Sequence, residues 1–189
     1  MFLEKMEEAI NRFSDALGKL TAVLFILLLL NVFFDVVMRY LFNDVSIGMQ
    51  ELEWHLYAAI FLLSIPYAIF KEGHVRVDII YDNLSLRKQA WIDLLGTLFL
   101  LLPFTILVTT YGIDFSIESY KLGETSGDPG GLSFRWIIKS VIPFSFFAMT
   151  VSGLGLILKS INTLRRDNAV VDVANVVEDK KKHTGAAPL

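Results

Sequence analysis

The sequence predicts an all-α integral membrane protein. It has four transmembrane helices, an N-terminal amphipathic interfacial helix, and both termini on the cytoplasmic side (N-in/C-in). Composition, block length and the placement of basic residues all point there. Of the 189 residues, 54% are hydrophobic, and the mean hydropathy is +0.54. Soluble domains hold roughly 45–50% apolar residues, and here the excess is gathered into blocks. Four blocks, at 20–38, 54–70, 91–111 and 136–158, come close to or exceed the ~20 residues needed to cross the hydrocarbon core. The basic residues then set orientation. Lys5, Arg12 and Lys19 precede the first block; Lys71, Arg76, Arg87 and Lys88 separate the second from the third; Lys159, Arg165, Arg166, Lys180, Lys181 and Lys182 follow the fourth. The other two connections hold only Arg39, Lys121 and Arg135, so the positive-inside rule puts the termini and the middle loop in the cytoplasm.

Residues 1–19 read as a separate cytoplasmic-side arm helix. Phe2, Leu3, Met6, Ile10, Phe13 and Leu17 recur at helical spacing, with Glu4, Glu7, Glu8, Asn11, Arg12 and Asp15 opposite. Acids outnumber bases, so burial of the apolar face, against lipid or a partner, must hold such an arm. A cleaved signal peptide is the rival reading of the first block. It conflicts with the acidic preceding segment, the block length, and MRYLFN where a small-residue cleavage pattern would stand.

The loop after the first span carries Tyr40, Leu41, Phe42, Val45 and Ile47, and is expected to hug the membrane surface. Trp54, Trp91 and Trp136 open the remaining spans, as aromatic belt residues do. Pro66, Pro103 and Pro143 lie within spans and predict bent helices. The third helix is expected to run on through GIDFSIESY, until the glycines and proline of GETSGDPGG stop it. Residues 159–189 read as a polar cytoplasmic tail. No internal repeat is visible, so the inverted repeats of many self-sufficient carriers are not evident.

With no cysteine in the chain, disulfides, iron–sulfur clusters and thiolate metal sites are excluded. No nucleophile–base set or metal-ligand set falls within the spans, so an enzyme is not expected; no cofactor, metal or nucleic acid is expected either. His55 and His74 fall at opposite ends of the second span and cannot grip one haem. Glu51 and Glu53 point apart on a helix, which suits an outer surface contact better than a metal.

The polar residues of the spans allow two readings. Asn31, Asp35 and Arg39 stand four residues apart, on one flank of a helix. Intramembrane ionisable groups are substrate or ion sites by default. Alternatively, Asn31 bonds a neighbouring helix, and Asp35 pairs with Arg39. In KEGHVRVDIIYDNLS, His74, Arg76 and Asp78 alternate with Val75, Val77 and Ile79, a pattern that buries one side against a partner or lipid headgroups. Arg135 and Lys139, one turn apart, repel each other and call for an acid or a phosphate between them. From Ala148 to Gly155 the fourth helix offers a small-residue face for close packing.

Three pieces taken together resemble a known family: NVFFDVVMRYLF (31–42), the acidic helix start QELEW (50–54) and GHVRVD (73–78). The chain is similar to the small membrane subunit of tripartite ATP-independent periplasmic (TRAP) transporters, the DctQ-like permeases, from residue 1 to about 160. SGDPGGLSFRWIIKSVIP (126–143) resembles a subgroup associated with 2-oxo acids, mannitol or chloroaromatic acids. The resemblance implies a sodium-driven transporter in the bacterial cytoplasmic (inner) membrane. In it a periplasmic substrate-binding protein delivers an organic acid to a large multi-span permease subunit that moves like an elevator. The small subunit would then be a scaffold. Asn31, Asp35, Arg39, Gly73, His74, Arg76 and Asp78 would serve helix packing or the large-subunit interface. Glu51, Glu53, Arg135 and Lys139 would contact the receptor or lipid headgroups. The alternatives are a membrane anchor of a respiratory complex and a stand-alone oligomeric channel or carrier.

Overall fold

The computed structural model describes residues 2–71, 81 and 83–183, with side chains between Lys5 and Arg165 except Phe70. The segment 72–80, with Gly73, His74, Arg76 and Asp78, lies outside the described residues. Every described element is helical: α1 (Phe2–Leu41), α2 (Ile47–Phe70), α3 (Leu86–Gly96), a π-helical turn (Thr97–Leu101), α4 (Leu102–Lys121) and α5 (Trp136–His183). The segment from α3 through α4 is continuous, so four rods are long and apolar enough to cross a membrane.

The arm and the first span form one helix. Nothing between Leu17 and Ala22 stops a helix, and Gly18 is not a hinge: a Cβ there would meet the Tyr67 ring at 2.5 Å. At 40 residues and ~1.5 Å per residue, α1 is about 60 Å long, twice the ~30 Å hydrocarbon core. It ends where Asn43 takes φ 53 and the Asp44 N–H reaches back to the Met38 carbonyl at 3.1 Å, a left-handed cap that asparagine tolerates. Ser46 then caps α2, its hydroxyl accepting from the Met49 N–H at 3.3 Å. After the fourth block the chain stays helical, α5 running on to His183.

Packing centres on α5. Among the described residues it touches α1, α2, α3 and α4, whereas α4 makes no substantial contact with α1 or α2. The fold is a three-helix cluster of α1, α2 and α5, with the α3–α4 rod seated on the far side of α5. Leu17, Leu63 and Ala148 form the small apolar centre of the cluster, bordered by Phe13, Leu24 and Val141.

Polarity is turned inside out. The buried residues include Ser14, Thr21, Asn31, Asp35, Thr97, Thr105, Ser116, Ser145 and Ser152, whereas Phe33 is 68% exposed and Leu100 is 74% exposed. In water such a surface would be ruinous. In lipid it is expected, because tails are as apolar as leucine, and helices associate through small residues and polar contacts. On α1 the inward residues are Ser14, Leu17, Thr21, Asn31 and Asp35, with Leu24 and Leu28 half-buried between them. That is alternating three- and four-residue spacing, a narrow seam.

Small residues set the crossings. A Cβ on Gly155 would lie 2.8 Å from Ile10, and one on Gly112 3.2 Å from Pro143. Pro103 explains the π turn, since proline cannot donate to the carbonyl four residues back and its ring crowds it. The chain inserts a wider turn just before it, with the Leu102 N–H bonded to Thr97. Leu101 then comes against α5, 3.0 Å from where a Gly153 Cβ would stand.

These contacts predict a graded response to one added methyl. Gly18→Ala should cost about 1–3 kcal/mol through overpacking on Tyr67, read as a lower thermal midpoint in detergent. Gly96→Ala, where a Cβ meets nothing within 4 Å, should leave that midpoint unchanged or slightly raised.

Candidate functional site

The polar groups fall into two sets, within the helix seams and at the end opposite the termini. In the seams, the Asn31 amide donates to the Met49 carbonyl at 3.0 Å, joining α1 to the first turn of α2. Asp35 is 4% exposed and accepts from the Arg39 guanidinium one turn on. Arg39 keeps its side chain 41% exposed, so the pair has one end buried and one at the rim. Nearer the termini, the Ser14 and Ser152 hydroxyls share a hydrogen bond of 2.8 Å, and the Asn162 amide donates to Glu7 at 3.0 Å. Thr150 donates to the Thr105 hydroxyl at 2.9 Å, tying α5 to α4. The contacts to Ser14, Glu7 and Thr105 were missed in the sequence. Ser14 and Thr21 do sit at heptad spacing from Asp35, with Asn31 on the alternate seam position, which was the available signal.

At the opposite end, residues 122–135 fold into a compact loop. The Ser126 N–H donates to the Leu132 carbonyl at 3.0 Å and the Arg135 N–H to the Glu124 carbonyl at 3.1 Å, closing its neck. Inside, the Asp128 N–H reaches the Ser126 hydroxyl at 3.1 Å and the Gly131 N–H the Asp128 carbonyl at 3.0 Å. Gly130 supplies the φ of +83 that the turn requires.

Two side chains from the helices grip this loop. Glu51 on α2 accepts from the Ser126 hydroxyl with one oxygen, and from the Leu132 N–H with the other at 2.7 Å. A Cβ on Gly131 would lie 2.5 Å from Ser126 Cβ and 2.9 Å from the Glu51 carboxylate, so glycine is what lets the carboxylate in. Lys139 on α5 pairs with Glu124 and lies 4.1 Å from the Phe115 ring centroid, a cation–π contact. Glu124 is thus the acid paired with Lys139, and the Arg135 charge also acts on it. The Lys139 ammonium beside Glu124 holds its carboxyl below the usual glutamate range.

Among the site residues expected from sequence, Asn31, Asp35 and Arg39 come together on one seam. Glu51 and Lys139 come to the same loop from two helices. Glu53 and Arg135 are half-buried nearby, and no hydrogen bond or ion pair of their side chains occurs among the described residues. Gly73, His74, Arg76 and Asp78 lie outside the described residues.

These features define a multi-pass helical membrane protein whose intramembrane polar groups bond mainly to its own helices. The chain matches the family described as tripartite ATP-independent periplasmic transporters, DctQ component, over residues 28–163, and it belongs to that family of transporter components. A search of curated proteins finds no match to it.

Two measurements test the geometry. In a double-mutant cycle, Arg39→Leu should destabilise more than the Asp35→Leu/Arg39→Leu pair, because the single change strands the buried Asp35 carboxylate. Asn31→Leu should cost only ~0.6 kcal/mol, the typical intramembrane hydrogen bond; both are read by denaturation in detergent. The second concerns pH. Since the folded-state pKa of Glu124 lies below its ordinary 4.5, its contribution to stability is complete above that value and is lost as pH falls through the lowered one. The thermal midpoint of the parent chain should therefore drop in that acidic window, and Glu124→Gln should lack this part of the drop.

Proposed function

We propose that the chain is the static small permease subunit of a sodium-driven TRAP transporter in the bacterial inner membrane. It pairs with the large permease subunit and helps dock the periplasmic binding protein that brings an organic acid. The termini face the cytoplasm and the loop 122–135 faces the periplasm, as the basic residues favour.

The observation that carries this reading is the family match combined with how the seam polar groups are used. Asn31 is bonded to a backbone carbonyl, Asp35 to Arg39, Ser14 to Ser152 and Thr150 to Thr105. A substrate path needs polar groups that face a cavity and await a ligand. Here they hold helices together, which suits a brace. The broad apolar exterior, with Phe33, Phe99 and Leu100 among its exposed residues, suits lipid on some faces and a second membrane subunit on another.

Reconstitution tests it. Proteoliposomes with this chain alone should take up no organic acid, with or without a sodium gradient. Adding the large subunit and the binding protein should give sodium-dependent uptake that stops when the binding protein is omitted. Uptake by the isolated chain would refute the scaffold reading.

A further inference from the structure

Helices in a bundle are usually joined by about 2–8 residues. The connection between α4 and α5, residues 122–135, is longer and more ordered than joining requires. Four hydrogen bonds close it on itself, and Glu51 and Lys139 fasten it to two helices. Compact loops of this kind are frequently functional.

What the loop presents is equally specific. Residues 127–130 and Ser133 are exposed. The Asp128 carboxylate at the tip has no ion pair among the described residues, so it offers an acceptor to a donor or cation on a partner. Phe134 is 66% exposed and holds φ at 61°, a left-handed conformation that bulky L residues rarely adopt. That strain persists only because the surrounding ties over-determine the backbone.

We infer that Glu51 is a positioning residue, which holds the loop 122–135 preformed as a contact for the soluble binding protein without touching that protein itself. The inference rests on the docking role proposed above and names the element that performs it. A loop ordered before encounter avoids the ordering cost at binding, which is how preorganisation raises affinity. Glu51 suits the task because both carboxylate oxygens are already engaged, one on each half of the loop. The competing duty is a mechanical strap from α2 to α5. A strap affects assembly and stability but not the encounter with a soluble partner.

The absence of cysteine makes a site-specific probe simple. Ser133→Cys would carry a benzophenone maleimide in the complex with the large subunit, held in nanodiscs and irradiated with purified binding protein. The expected result is a covalent adduct of this chain with the binding protein. Glu51→Ala should lower its yield about 10-fold, the scale of losing a preordered contact, while the large subunit still co-purifies. Glu51→Gln keeps one carbonyl acceptor and should fall between. Should Glu51→Ala fail to assemble, Gly131→Ala, which crowds the same carboxylate, takes its place. Loss of assembly in both supports the strap and overturns the inference. Equal adduct yield in parent and variant overturns it too, as does no adduct where uptake still depends on the binding protein; the docking reading survives both. If the parent chain does not co-purify with the large subunit, the scaffold reading fails and takes this inference with it.

Discussion

Cohesion in this fold depends on close approach, because lipid supplies no solvent from which apolar surface gains by hiding. Dispersion and short polar contacts must hold the helices, and both decay within an ångström or two. The tight spots therefore involve the smallest side chains. Gly18 lies under Tyr67, Gly155 against Ile10, Gly112 against Pro143 and Gly153 beside Leu101. The Ser14–Ser152 bond occurs where two backbones are already near. Each needs its neighbour's backbone in place, so the small-residue face of α5 organises the whole molecule.

From that arrangement follows a division of labour. The interior of the α1–α2–α5 cluster carries many of the buried polar groups, most of them bonded to another helix or to their own turn, with the Ser145 hydroxyl an exception, and the exterior is largely apolar. A subunit built this way has a rigid relation among its helices and a featureless surface toward lipid. Those are the properties that the proposed scaffold role asks of this DctQ component. Length adds to the effect, because α1 and α5 continue side by side beyond their spans, joined by Glu7 and Asn162.

Much of this was legible in the sequence for simple reasons. Block hydropathy locates four spans because the membrane requires it, and the GDPGG segment announces the break after Lys121. The Asn31–Asp35–Arg39 spacing was legible as one flank, but which neighbour Asn31 bonds was not, since a backbone carbonyl has no sequence signature. The continuity of α1 was hidden because amphipathic patterning changes at residue 20 while helix propensity does not. Only the fold shows that Gly18, beside that change, is packed against the Tyr67 ring. Glu51 looked like a surface acid; only tertiary structure brings Ser126 and Leu132 to it, and Gly131 was the sole local hint that something must come near. Pro103 signalled a bend but not that a π turn would absorb it.

The α3–α4 rod leans on α5 and on little else, which makes it resemble a door leaf with α5 as its hinge post. At the hinge edge the Thr105–Thr150 contact and the Gly112–Pro143 packing fix spacing, but a single line of contact resists rotation poorly. The loop 122–135 crosses from the top of the leaf to α2, where Glu51 accepts from Ser126 and from the Leu132 N–H. Because its side-chain ties run to α2 and α5, what the loop displays is held in the frame of the α1–α2–α5 cluster rather than that of the leaf.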